Sequence, residues 1–363
     1  MKKSKKKVLR RNRVIKVVNL MDEESLYVGI DVHKRSYSIA IWSNMRNLID
    51  TWTQPAVPAA LIKRLTHYRS NIKRVVYEAG PTGYGLVRAL RSAGFNSEVI
   101  APSKTPRAPG KSPKADRLDS KKLAEYAFKD LLKPIRVPTE VEEIDRQVIR
   151  LRHQLVRKNR RVKQQIKSLL LQYGVEEPNG LKDWADYAIQ TLRELDLEDG
   201  LRLTLNVLID ELVYLKGQLK RVTKEIKKLS TLDRHREKVD HLRAVAGVGL
   251  ITAMTYKTEL LAPERFDNER EVAHYAGFAP YVEESGETRK EGPTMKSGNR
   301  YIRSILIESA WGWVFRDPVA RAKYCKLLRN TTDRKKAVVA MARRLAILLW
   351  RMLIEKQMYY SAA

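Results

Sequence analysis

The chain has 363 residues, with 71 Lys and Arg against 42 Asp and Glu, for a formal charge of +29. Such an excess of cations marks a polyphosphate partner. No apolar run approaches the ~18 residues needed to span a bilayer, and the single cysteine, Cys325, excludes an internal disulfide and fits a reducing, cytoplasmic compartment.

In chain order, residues 1–25 read as a basic arm rather than a signal peptide, because no continuous apolar stretch follows Met1–Lys16. Residues 26–137 read as α/β. Val28–His33, Tyr37–Trp42 and Leu48–Thr53 are short strands, the first two joined by a hairpin at Lys34-Arg35-Ser36. A helix over Ala59–Tyr68, a strand ending at Glu78, a helix over Tyr84–Ala93 and a strand Ser97–Ala101 follow. The Pro- and Lys-rich Ala101–Ala115 is irregular, and a helix begins near Asp116. Three antiparallel strands followed by alternating helices and strands is the order of a ribonuclease-H-like fold, with a generic open α/β sheet as the alternative.

Over residues 138–234 apolar positions recur at helical spacing (Ile144, Val148, Leu151, Leu155, Val162, Ile166, Leu169), and again from Leu201 to Leu229. Two long helices joined by an irregular Gly174–Gly200 segment suggest an antiparallel coiled-coil hairpin. Residues 235–363 read as a helical domain. Gly247-Val248-Gly249 between apolar segments has the form of a helix-hairpin-helix, whose backbone N–H groups reach a phosphate. A polar stretch, Glu283–Lys296, carries no periodicity, and Ser297-Gly298-Asn299-Arg300 leads into a final pair of helices.

Asp31, Glu78, Asp116 and Asp119 sit at two strand ends and on one face of a helix start. Carboxylates so placed suit a hard cation that keeps several waters and takes phosphate oxygens as further ligands. Singly, each has a plainer role, as a helix cap or a strand-end charge. On charge alone, a nucleic-acid binder without chemistry fits as well.

The wording of these blocks resembles the IS110-family transposases, in particular the IS1111-like group. Gly29-Ile30-Asp31-Val32-His33-Lys34, Tyr77-Glu78-Ala79-Gly80-Pro81-Thr82-Gly83-Tyr84 and Asp116-Arg117-Leu118-Asp119-Ser120-Lys121 match its RuvC-like Asp-Glu-Asp-Asp domain. Residues 247–249, 275–280, 285–286 and 298–303 match its C-terminal half. The resemblance implies a recombinase that holds Mg²⁺ or Mn²⁺ on Asp31, Glu78, Asp116 and Asp119 and attacks DNA with a serine. It implies as partners DNA, a structured guide RNA of the bridge type and further copies of the chain, as dimer or tetramer, with no membrane, in a bacterial or archaeal cytoplasm at the nucleoid.

Ser285 matches the family's Ser-Gly pair, in a polar loop with Gly286 following, and is the expected nucleophile; Ser297 is the runner-up. Gly247, Gly249, Lys296, Asn299, Arg300 and Arg303 are expected to contact nucleic acid. Two rivals stand beside this reading: a structure-specific RuvC-like nuclease using water, and a noncatalytic RNA- or DNA-binding scaffold.

Overall fold

The computed structural model describes residues 20–21, 23–102, 105–106, 116–285, 288–294, 297–355 and 359, with residues 116–118, 282–291 and 293 described by backbone alone. Almost all of the basic arm therefore lies outside the described residues. The chain divides into two units, Met1–Val137 and Pro138–Ala363.

In the first unit, β1 (Leu26–Val32), β2 (Ser36–Ser43) and β3 (Asn47–Pro55) form an antiparallel meander. Helix α1 (Pro58–Thr66) returns the chain so that β4 (Ile72–Glu78) pairs parallel with β1. Helix α2 (Gly85–Ser92) leads to β5 (Ser97–Ile100), parallel to β4, and α3 spans Asp116–Phe128. The strand order is β3-β2-β1-β4-β5, a mixed sheet consistent with the ribonuclease-H-like expectation.

Successive strand residues point to opposite faces. Val28, Ile30, Val75 and Tyr77 pack with Leu61, Leu65, Val87 and Leu90 of α1 and α2. The opposite face presents Val76, with Tyr27 alongside, to Leu123 and Ala127 of α3. Both faces of the central strands are thus covered, which is why Val28–Ile30 of β1 and Val75–Tyr77 of β4 read as continuous apolar runs.

In the second unit, α4 (Glu140–Gln172) starts at a capping box. Thr139 Oγ1 accepts from the Glu142 N–H while the Glu142 carboxylate accepts from the Thr139 N–H. Helices α5 (Asp186–Glu194) and α6 (Asp199–Ser230) follow. Arg152 of α4 bonds Thr223, whereas Lys163 lies over the ring of Trp184, whose carbonyl accepts from Lys216. Rising numbers on α4 meet falling numbers on α6, so the two helices run antiparallel. Their seam buries Leu155, Val162, Ile166 and Leu170 against Leu205, Ile209, Leu212 and Leu215.

The connection expected to be irregular contains α5. Its Ala188, Ile189 and Leu192 are buried, and packing onto the seam stabilises a helix too short to stand alone.

The remainder comprises α7 (Asp233–Arg243), α8 (Leu250–Leu260), α9 (Glu269–Tyr275), β6 (Pro280–Ser285), β7 (Thr288–Thr294), α10 (Arg300–Arg316), α11 (Pro318–Thr331) and α12 (Arg334–Glu355). Two expectations fail here. The final helices are three, because Asp317 ends α10 and its carboxylate accepts from the Ala320 N–H to start α11, with Pro318 in the first turn. The polar stretch is a β-hairpin. Its register pairs Glu284 with Arg289 and Glu283 with Lys290, residues of opposite charge at directly opposed positions. Among the described residues no helix is long and apolar enough to cross a membrane.

Candidate carboxylate site and serine hairpin

Gly29 sets the geometry of the first candidate site. A Cβ built on it would stand 2.2 Å from the Ser120 carbonyl oxygen and 2.4 Å from the Ala124 nitrogen, so α3 rests directly on the β1 backbone. One residue pair earlier along the strand, Tyr27 meets Phe128 edge-to-face, with ring centroids 5.5 Å apart. Moving along β1 from Tyr27 to Gly29 therefore moves back along α3 from Phe128 to Ala124 and Ser120. The helix runs antiparallel to the strand, and the next residue on that face, Asp31, comes level with the first turns of α3, which carry Asp119 and Asp116.

Glu78 joins from the neighbouring strand. The last parallel pair of β1 and β4 is Ile30 with Tyr77; one step beyond come Asp31 and Glu78. Val76, two residues before Glu78, packs against Leu123 of α3, so Glu78 shares the α3 face. Asp31 and Glu78 are thereby set at the carboxyl ends of adjacent parallel strands, where open α/β sheets bind ligands, with the first turns of α3, which carry Asp119, level with that end.

Asp31 is about one-fifth exposed, and its Oδ2 lies 3.1 Å from Nε2 of His33 on the same face. Glu78 Oε1 accepts from Thr105 Oγ1 at 2.7 Å. Asp119 is exposed, and the Asp116 side chain lies outside those described. Among the described residues, no three acidic, His or Cys side chains are drawn together tightly enough to hold an ion. The donors are nonetheless carboxylate oxygens, the chemistry that hard divalent cations require. His33 and Thr105 both touch the carboxylates through hydrogen bonds that sequence spacing alone does not reveal.

In the second unit Ser285 ends β6 and is paired in register with Thr288, so it stands at the tip of the hairpin. Its side chain, together with Gly286, Glu287 and Lys296, lies outside what the structure describes. In the register of the two strands Glu283 is paired with Lys290 and Glu284 with Arg289.

The remaining predicted contacts separate into exposed and inward-facing groups. Arg300 is exposed beside Tyr301. Arg303 donates to the Gly277 carbonyl and lies over Phe278, its guanidinium carbon 5.6 Å from the ring centroid. Asn299 caps α10, accepting from the N–H groups of Tyr301 and Ile302, and donates to the Glu259 carboxylate at 2.8 Å. Glu259 is fully buried and also accepts two hydrogen bonds from Arg150, at 2.6 and 2.8 Å. Both ends of the Asn299 amide are thus engaged within the fold. Gly247 lies against the backbone of Ser309–Trp313, a close crossing with α10, whereas Gly249 caps α8 with open space around it.

A polar cluster built on the buried Asp145 and His235 is not legible in the sequence. Asp145 accepts two hydrogen bonds from Arg234, and one of its oxygens lies 2.8 Å from Nε2 of His235. His235 Nδ1 lies 2.6 Å from Lys257 Nζ. Burial pushes the Lys257 ammonium down to about 8, and burial likewise lowers His235.

Comparison with known proteins adds to this geometry. Residues 239–325 match a family model described as transposase of the IS116/IS110/IS902 family, and residues 28–175 match a second transposase model of the IS110 DEDD type. The chain is 32% identical over 310 residues to y4qE, a protein of Sinorhizobium fredii named as a transposase, covering 84% of this chain and 76% of that one. It is 22% identical over 345 residues to the transposase for insertion sequence element IS1111A of Coxiella burnetii, covering 93% and 92%. A third relative, the transposase for insertion sequence element IS1533 of Leptospira borgpetersenii, is 27% identical over 311 residues.

Proposed function

The chain belongs to the IS116/IS110/IS902 family of transposases, and from that membership we propose that it cuts and rejoins DNA with a carboxylate-held metal ion and a serine nucleophile, directed by a structured RNA. The observation that carries the metal half is the antiparallel seating of α3 on β1 at Gly29, which sets Asp31, Glu78 and Asp119 at one end of one sheet face.

Asp31, Glu78, Asp116 and Asp119 would hold Mg²⁺ or Mn²⁺, which offsets the charge of a phosphate under attack. The protein's own contribution is orientation. His33 and Thr105 fix the rotamers of Asp31 and Glu78, and the α3–β1 contact fixes the spacing of helix and strands. The Ser285 oxygen attacks phosphorus and displaces one bridging DNA oxygen, leaving a phosphoserine linkage. A DNA hydroxyl attacking that phosphorus restores the serine and joins the strands, with one phosphoester bond broken and one formed at each step.

The same reading includes a RuvC-like first domain over residues 26–137, a helix-hairpin-helix at Gly247–Gly249, and α4 with α6 as a coiled-coil arm that assembles a dimer or tetramer. The exposed Leu203, Val207 and Tyr214, spaced four and seven apart on α6, support self-association through that arm. Denaturing electrophoresis of the protein incubated with labelled DNA and Mg²⁺ tests the proposal. A covalent protein–DNA species supports the serine route; cleavage without one supports hydrolysis by water.

A further inference from the structure

A cavity of about 370 Å³ opens in the second unit at the root of the β6–β7 hairpin. It is lined by Phe278, Pro280 and Thr294, by Arg303 of α10, and by Lys335, Lys336, Val339, Ala340 and Arg343 of α12. Nothing in the reaction described above uses it. Its size falls in the range of small-ligand sites, about 300–1,000 Å³.

Three features define what it would take. First, four cationic side chains border it and no carboxylate does. Second, Lys336, Val339, Ala340 and Arg343 lie at i, i+3, i+4 and i+7, one helical face with an apolar centre between two cations. Third, the cations are placed against the preference of their helix. Arg334, Lys335 and Lys336 occupy the first turn of α12, at the positive end of its dipole, with Asp333 accepting from the Lys335 and Lys336 N–H groups at 2.7 and 3.3 Å. A bound anion would relieve that repulsion. Arg303 is already held in position by Gly277 and Phe278.

We propose that this cavity receives one unpaired nucleotide of a single-stranded nucleic-acid segment. Its phosphate would lie among Arg303, Lys335, Lys336 and Arg343, and its base would rest on Pro280, Val339 and Ala340. A duplex keeps its bases in the stack and cannot lay one on this apolar floor, whereas a single strand can. The inference rests on nucleic acid being the substrate, and it adds a strand-holding site beside the hairpin that carries Ser285.

Fluorescence anisotropy of the full-length protein tests it, using labelled single-stranded DNA, single-stranded RNA of the same sequence, and the corresponding DNA duplex. The double variant Lys336→Glu, Arg343→Glu should lose about tenfold or more in affinity for a single strand, since contacts that neutralise phosphates dominate such binding. The charge-matched control Lys227→Glu, Lys228→Glu on the exposed end of α6 should lose less than about twofold. Ala340→Trp fills the cavity without changing charge and should weaken single-strand binding while leaving duplex binding as it was. DNA and RNA arms tell which strand is held; tight binding of either supports the site. Equal losses on single strand and duplex for the charge variant, or unchanged single-strand affinity in a folded Ala340→Trp, would overturn it. Strand cleavage lost in Asp31→Asn would then show that the transposase chemistry stands while the pocket assignment falls.

Discussion

Gly29 of β1 and Ser120 of α3 meet backbone to backbone, and a Cβ on Gly29 would lie 2.2 Å from the Ser120 carbonyl oxygen. The carboxylates on strand and helix share one end of the sheet because nothing separates these two residues. Gly29→Ala must push the helix away, and overpacking of this kind costs roughly 1–3 kcal/mol. A lower melting temperature and a greater fractional loss of cleavage than of DNA affinity are expected. Unchanged melting would show that α3 does not rest on β1.

Asp31→Asn, Glu78→Gln and Asp119→Asn should each abolish cleavage and leave nucleic-acid binding nearly intact. Each removes a charged donor from the proposed ion site without touching the basic surface that supplies affinity. Parallel binding and cleavage assays decide it; affinity falling as far as activity would mark these residues as structural.

Ser285→Ala should eliminate the covalent protein–DNA species, and Ser297→Ala should not. Ser285 stands at the hairpin tip, whereas Ser297 precedes the packed Gly298-Asn299 segment. Peptide mapping of trapped adducts locates the attachment, and DNA on the Ser297 peptide would refute the assignment.

Arg150→Met should destabilise the second unit by about 3–5 kcal/mol, because it leaves the buried Glu259 carboxylate without its two charge-assisted bonds. Denaturant unfolding measures this. A loss below about 1 kcal/mol would mean the carboxylate finds water or another partner.

The Asp145–His235–Lys257 cluster predicts a pH dependence. Burial lowers the His235 proton affinity in the folded chain, so below the ordinary histidine value of about 6.5 the unfolded chain binds a proton that the folded one does not. Stability should therefore fall as pH drops from about 6.5 toward the lowered folded value, since an added Nδ1 proton would face the Lys257 ammonium. Comparing unfolding free energies of wild type and His235→Gln across that window isolates the contribution. Identical slopes would exclude it.

Much of the first unit was legible in the sequence because each strand there announces itself. Val28, Ile30, Val75 and Tyr77 are buried between two helical layers, and such strands are written as unbroken apolar runs. The four acidic residues were legible as candidates at strand ends and a helix start, but the crossing that brings α3 to the end of the sheet bearing Asp31 and Glu78 was not. That depends on the direction in which α3 crosses β1, fixed by Gly29 and by Tyr27 with Phe128. The β6–β7 hairpin escaped because its regularity lies between strands: Glu283 with Lys290 and Glu284 with Arg289 make sense only once the register is known. The partners of Asn299 within the fold, Glu259 and the α10 N-terminus, are likewise set by tertiary contacts that its Gly-Asn-Arg context does not reveal.

The contact between Gly277 and Gly298 has a mechanical consequence. A Cβ on Gly298 would come within 2.5 Å of the Gly277 Cα, so the chain is pinched shut just before and just after the hairpin. The two strands are anchored at a common pivot, with Ser285 at the far end of a lever. Five residue steps separate Pro280 from Ser285, and at ~3.3 Å each the tip stands ~17 Å from the first residue of β6. Bending at the pivot would sweep the serine along an arc set by the length of the hairpin. Inserting or deleting a matched residue pair would therefore change the radius while preserving the register.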